Sequence, residues 1–275
     1  MTIAAHNLSQ RFPARRALIT GAASGLGLAC AEILAREGWR LVLVDVDAAR
    51  LDLVAQSLSR DGAPVAAAVC DVRDEAAVQA LVDESVAALG GLDLAIHSAG
   101  VAIAGAFHRC SAEDWRWIFD INVHGLAHCC RAVIPHMARG QGGLIVNVAS
   151  AASFVTNAKM AAYNAAKAAV VGLSETLMQE YTPYGVQTLV AMPGFFRTRL
   201  LENARGSSQT LERGRRIMLE SGLEADQVAE AMLLAAARGR THFVYPARYA
   251  LLWYLKRLMP QRFQTWLPRW LSRSD

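Results

Sequence analysis

Long apolar runs are the first thing this chain lacks. No window of about eighteen residues or more is apolar enough to span a bilayer, although 53% of its 275 residues are hydrophobic. No basic stretch leads into an early apolar run, because Arg11, Arg15 and Arg16 follow the first apolar residues, so no secretory leader is expected. Cysteines are few and odd in number. Cys30, Cys70, Cys110, Cys129 and Cys130 offer no C-x-x-C spacing, which argues against a disulfide framework and for reduced, mostly buried thiols in a cytoplasmic compartment. Charge is sparse at 19%, so the chain can bury a full core, and its length suits one large α/β domain better than two small ones. Acid is nearly absent from the C-terminal end. Residues 238–275 carry eight Lys/Arg against Asp275 alone, a net +7 in a chain of total charge +4, which leaves −3 for the rest. No internal repeat or low-complexity linker divides the chain.

Strand-like and helix-like patterns alternate from the start. Apolar runs at 16–20, 41–45, 65–69, 92–97, 143–150, 186–192 and 241–245 read as strands, and helical patterns fall near 25–37, 48–60, 74–89, 112–139, 161–181 and 224–238. Strands this apolar, alternating with helices, predict an α/β, doubly wound parallel sheet with helices on both faces, a Rossmann-type fold. Two stretches break the rhythm. Residues 199–222 are polar and contain Gly and Ser where a connection should be short, the profile of a mobile lid. Residues 247–275 form an aromatic and basic extension holding three of the six tryptophans.

The turn Thr20-Gly21-Ala22-Ala23-Ser24-Gly25-Leu26-Gly27 follows the first strand and opens the first helix of the α/β pattern. Glycines at 21, 25 and 27 allow a tight turn and a close approach to a pyrophosphate, whose charge the helix N-terminal amides meet. Ser24 and Leu26 lie in the same turn. Asp45 ends the second strand, where a carboxylate can accept from the hydroxyls of an adenosine ribose. A 2′-phosphate there would meet like charge, so NAD is expected over NADP. Asp71 and Val72, after the third strand, are placed to cover the adenine ring.

Tyr163 and Lys167 stand one helical turn apart, so they share a face. A phenol of ordinary pKa near ~10 is a poor base at neutral pH. An ammonium about 4 Å away, at an effective dielectric of ~20, is expected to lower that value by up to ~3 units before desolvation opposes it.

These residues, with Asn122 in INVHG, Ser150 thirteen residues before Tyr163, and Pro193-Gly194 followed by Thr198, resemble the short-chain dehydrogenase/reductase family over about residues 15–198. The resemblance implies a catalytic set of Asn122, Ser150, Tyr163 and Lys167. Tyr163 would be the general acid/base of a hydride transfer at a carbinol carbon. Lys167 would also hold the nicotinamide ribose, Ser150 the substrate oxygen, and Asn122 a water leading to Lys167. Pro193, Gly194 and Thr198 would lie against the carboxamide, and Ser98-Ala99-Gly100 along the cofactor. The family usually has asparagine where Ser98 stands, which puts the strand-stabilising role of that position in doubt. His97 reads as a satisfied core histidine. His124 and His128 have a permissible i,i+4 metal spacing without an evident third ligand, so no metal is expected. The helices around Asn122 and Tyr163 would pair subunits into a homodimer or homotetramer.

Residues 1–246 thus read as the catalytic domain. The pocket, with walls from Val101 to Phe107, from Ala151 to Thr156 and from Phe195 and Phe196, is mainly apolar, which favours a hydrophobic alcohol or ketone; Arg197, Arg199 and Arg205 are the charges within reach. The tail reads as an amphipathic helix at 248–258, a break at Met259-Pro260, and then Arg262, Phe263, Trp266, Arg269 and Trp270 interleaved. Such a segment suits an anionic membrane surface, a cover over the site or a subunit contact. Basic residues interleaved with large apolar ones, on an acidic body, argue against nucleic acid. Besides an NAD-dependent alcohol dehydrogenase, an NADPH-dependent 3-oxoacyl or carbonyl reductase of lipid metabolism shares the catalytic set, and a nucleotide-sensing protein without turnover shares the fold.

Overall fold

The structure, a computed structural model, describes the backbone of residues 3–271 except 61 and 141, and side chains from 6 to 266 within that span. Arg269, Trp270, Arg273 and Asp275 lie outside the described side chains.

In chain order the elements are α1 (Ile3–Arg11), β1 (Arg16–Thr20), α2 (Gly25–Arg36), β2 (Arg40–Asp45), α3 (Ala48–Arg60), β3 (Val65–Val69), α4 (Glu75–Leu89), β4 (Leu94–His97) and a two-residue strand β5 (Ile103–Ala104). There follow α5 (Ala112–Phe119), a π-turn over Asp120–Gly125, α6 (Leu126–Arg139), β6 (Gly143–Val148), the one-turn α7 (Ala152–Val155) and α8 (Ala161–Tyr181). The chain continues through β7 (Val186–Pro193), β8 (Arg205–Gly206), α9 (Ser208–Glu220), α10 (Ala225–Ala237), β9 (His242–Tyr245), α11 (Ala247–Leu258) and α12 (Pro260–Leu271).

Seven strands form one sheet in the order β3-β2-β1-β4-β6-β7-β9, and every pairing is parallel. This is the doubly wound, Rossmann-type arrangement that the alternating pattern predicts. Because side chains alternate along a strand, Ile19, Leu43, Ile96 and Val146 pack on the α2 and α10 side, while Leu18, Val42, Ala95 and Ile145 pack on the α4 and α6 side. Strand order reverses between β1 and β4, so their C-terminal ends open the crevice in which such sheets bind ligands.

Several boundaries differ from the sequence reading for physical reasons. The strand expected at 92–97 starts only at Leu94, because the Asp93 carboxylate is clasped by Arg16, at 2.7 Å to Nη2 and 2.9 Å to the backbone N. β3 is an edge strand, and Val69 stands 58% exposed rather than covered on both faces. The helix expected at 112–139 is broken by the π-turn. α1 was not anticipated. It is held by Leu8, wholly buried, by Arg11 donating to the Ala236 carbonyl at 3.0 Å and by Trp39 Nε1 donating to Ser9 at 3.0 Å. Burying Leu8 alone stabilises by roughly 1.5–3 kcal/mol. The expected lid, 199–222, contains the 13-residue helix α9, whose Leu211 and Met218 are buried.

Candidate active site

At the crevice, Gly21 and Gly25 adopt φ of +66° and +56°, the left-handed region that favours glycine. A Cβ on Gly21 would lie 2.7 Å from the Ala99 nitrogen, so the turn after β1 sits directly against the Ser98-Ala99-Gly100 segment after β4. Thr20 closes the seam, its carbonyl accepting from Ser98 N and its hydroxyl from Ala99 N, each at 3.3 Å. Ser24 precedes α2 without a side-chain cap, so the first-turn amides, near the buried Leu26 and Gly27, are left for an outside acceptor. That unspent anion site fits a pyrophosphate. Asp45 is held at the mouth by Ala23 N and Asp47 N, each at 3.0 Å. Asp71 turns to Arg73, which lowers its carboxyl below the usual range. Val72 is buried where a Cβ on Gly125 of the π-turn would come within 2.6 Å of it.

The chemical groups meet one layer further along the sheet. Tyr163 and Lys167 on α8 are 6% and 5% exposed. Tyr163 shares a hydrogen bond with Ser150, but burial outweighs it and pushes the phenol up to about 12. Lys167 Nζ donates to the Val148 carbonyl at 2.9 Å and lies 5.9 Å from the centre of the Tyr163 ring. Its own value is pulled down to about 8 by burial. The expected lowering of Tyr163 by Lys167 is therefore reversed in this geometry: desolvation is the dominant effect, and Nζ spends its hydrogen bond on a carbonyl. Asn122 is buried in the π-turn, and its side chain exchanges two bonds with the Val101 backbone, at 2.8 and 2.9 Å, so its amide braces the segment after β4. Gly100 lies between Asn122 and Lys167, a Cβ there falling 3.2 Å from Asn122 Oδ1 and 3.5 Å from Nζ.

Tyr163 belongs to an apolar cluster with Ala102, Ile103, Ile118, Leu201, Leu211 and Met218, against which Phe195 packs. The three arginines within reach are all engaged by acids: Arg197 with Glu224 at 2.7 Å, Arg199 with Glu202 at 2.6 Å, and Arg205 with Asp114 at 3.1 Å. Arg205 also lies 4.1 Å above the Trp117 ring. Thr198 covers Gly25, a Cβ there falling 2.8 Å from its Oγ1, and both border an open cleft of about 620 Å³ that Leu28, Glu32 and Glu224 also line.

Comparison with known proteins gives the family. Residues 15–209 match the short chain dehydrogenase model. The chain belongs to the short-chain dehydrogenase/reductase family. It is 33% identical over 222 residues to the (2S)-[(R)-hydroxy(phenyl)methyl]succinyl-CoA dehydrogenase subunit BbsD of Thauera aromatica, covering 81% of this chain and 89% of that one. To D-threitol dehydrogenase of Mycolicibacterium smegmatis it is 38% identical over 190 residues, covering 69% and 73%. Among solved structures, a short chain dehydrogenase/reductase from Burkholderia phymatum in complex with NAD superposes with a TM-score of 0.81 at 34% identity, over 89% of this chain and 94% of that one. One from Sphingobium yanoikuyae in complex with NADPH gives 0.77 at 30%, over 91% and 95%.

Within this short-chain dehydrogenase, the doubtful position at Ser98 is compensated nearby. His97, 2% exposed, bonds Asn147 at 2.9 Å, and Asn147 bonds Ser174 at 3.0 Å, tying β4 through β6 to α8. Burial pulls His97 down to about 4, so it is neutral. The expectation of a satisfied core histidine holds only for Nδ1: Nε2 is buried without a hydrogen-bond partner among the described residues. His124 turns to Asp120 and His128 to the Val72 carbonyl. Pro193 accepts from Ala151 N at 2.8 Å, and Gly194 donates to Tyr245 at 2.7 Å. Two contributors were missed by sequence reasoning. Tyr249 of α11 occupies the space a side chain at Gly194 would need, and Lys256 donates to the Phe154 carbonyl of α7 at 2.9 Å. Their only signal was the aromatic and basic composition of the extension.

Proposed function

We propose that this chain transfers a hydride between NAD(H) and a hydrophobic secondary alcohol or its ketone, with Tyr163 as general acid/base. The observation that carries the reading is a buried Tyr163 bonded to Ser150 and one turn from Lys167, inside an apolar cluster whose neighbouring arginines are all paired. A bound nicotinamide supplies the hydride acceptor or donor. Gly21, Gly25, Gly27 and the α2 amides would hold its pyrophosphate, and Asp45 its adenosine ribose. Ser150 holds the substrate oxygen beside the phenol. In reduction the phenol, raised to about 12 and therefore protonated at neutral pH, is the proton donor. In oxidation it must start as the phenolate to accept one, and the ammonium of Lys167, protonated below about 8, is the charge that stabilises that phenolate.

Asp45 favours NAD over NADP, since its carboxylate would repel a 2′-phosphate. The shallow apolar groove between α6 and α8, with Ile134, Pro135, Leu173 and Leu177 on its walls, supports pairing into a homodimer or homotetramer. Five unpaired cysteines suit a reducing, cytoplasmic setting. No described helix is long and apolar enough to cross a membrane.

Calorimetric binding of NAD(H) and NADP(H) to the wild type and to Asp45→Ala tests the cofactor half: NAD preference should be lost with Asp45, whereas a wild-type preference for NADP moves the 3-oxoacyl or carbonyl reductase reading to the front. Tyr163→Phe should lower turnover of secondary alcohols by about 10²–10⁴ while nucleotide still binds. Retained turnover would remove Tyr163 from the chemistry.

A further inference from the structure

We propose that the α11–α12 extension docks on an anionic lipid bilayer, lying in the interface through the outer face of α11. Five of the twelve large apolar side chains that stand exposed among the described residues fall within residues 251–266. On α11 they share one face: Leu251 is 60%, Tyr254 58% and Leu258 77% exposed, at spacings of three and four, and Met259 continues the face at 41%. The opposite face anchors the helix. Leu252 and, on α12, Phe263 are buried in the apolar cluster that also holds Phe154 and Val155 of α7, with Tyr249, Trp253 and Leu255 packed beside them. The exposed face is thus presented by a fixed support rather than by a loose tail.

Charge selects the occupant. Arg248 and Arg262 are exposed on and beside this face, Arg257 beside it lies 3.6 Å from Glu175 and 4.8 Å above the Trp253 ring, and no acidic residue occurs between Pro246 and Ser274. A second copy paired tail to tail would bring two such basic segments together. Nucleic acid would leave Leu251, Tyr254 and Leu258 in water. A bilayer with anionic headgroups meets both halves of the surface, arginines at phosphate level and apolar side chains among the first acyl carbons. This inference does not depend on the dehydrogenase reading.

The test is flotation of the full chain with phosphatidylcholine vesicles, with and without phosphatidylglycerol. The wild type should float with the anionic vesicles, and rising salt should release it. Leu251→Glu/Leu258→Glu should abolish flotation while its melting curve and nucleotide binding stay those of the wild type. Should that variant fail to fold, Arg248→Gln/Arg262→Gln serves instead, with affinity for anionic vesicles falling roughly fivefold per charge removed. Three results would overturn the proposal: no flotation with either vesicle, flotation indifferent to lipid charge and salt, or a wild-type oligomer that Leu251→Glu/Leu258→Glu breaks into smaller species, which would make this face a subunit contact.

Discussion

Lys167 is a buried ammonium, and its cost to the fold should be measurable as a pH dependence. Burial moves its value from 10.5 in the unfolded chain to about 8 in the folded one. The sign follows from proton counting. Between the two values the unfolded chain binds the proton and the folded chain does not, so stability rises with pH across that window. Below about pH 8 both states are protonated and the full penalty applies; above 10.5 neither is, and it vanishes. A shift of two and a half units corresponds to about 3 kcal/mol. Lys167→Met removes this slope and leaves the Val148 carbonyl without its donor, a roughly pH-independent loss. Buried Cys30, Cys129, Cys130 and Tyr163, all raised by burial, contribute slopes of their own, but these are common to both proteins and cancel in the difference. Denaturant unfolding of both proteins without nucleotide, from pH 7 to 10.5, should show the variant losing about 3 kcal/mol relative to wild type as pH rises. Parallel curves would mean that Lys167 keeps its ordinary value in the folded chain, and the desolvated pair described above would be wrong. Tyr163 has the opposite sign: raised from 10 to about 12, it contributes stability that is lost as pH climbs through that range.

Gly21→Ala places a Cβ 2.7 Å from the Ala99 backbone at a φ of +66°, so it should destabilise by about 2 kcal/mol or more and weaken nucleotide binding; an unchanged melting temperature and affinity would contradict the close approach of the two segments. Lys256→Met frees the Phe154 carbonyl at the end of α7, directly after Ser150. It should raise the KM of the alcohol by up to about tenfold with kcat nearly constant, and Lys256→Arg should partly rescue it. Unaltered steady-state kinetics would show that α11 does not brace the pocket wall.

What the sequence revealed and what it hid divide along a physical line. The doubly wound sheet was legible because strands buried on both faces are nearly all apolar, and because the glycines at 21, 25 and 27 answer a local steric demand. α1 was hidden because its register depends on distant partners, the Ala236 carbonyl and Trp39. The arginines flanking the pocket were visible as charges, but their engagement by Glu224, Glu202 and Asp114 was not.

Tyr163 and Lys167 show the same division most sharply. Spacing of four residues puts Tyr163 and Lys167 on one face, and from spacing alone the ammonium should acidify the phenol. The folded environment reverses that, because the groups that desolvate Tyr163, among them Ile103, Ile118, Leu201, Leu211 and Met218, come from four other segments. Two of them, Leu211 and Met218, belong to α9, the helix within the expected lid. If α9 swings away, water reaches the phenol and its value should fall towards 10; if it closes, the phenol is a poor base until positive charge is brought to it. On the proposed mechanism α9 and the lysine act on the same proton from opposite directions, so truncating Leu211 and Met218 to Ala together should shift the alkaline limb of the oxidation rate to lower pH while weakening the binding of apolar alcohols. A pH profile that keeps its position while KM rises would assign α9 to substrate contact alone.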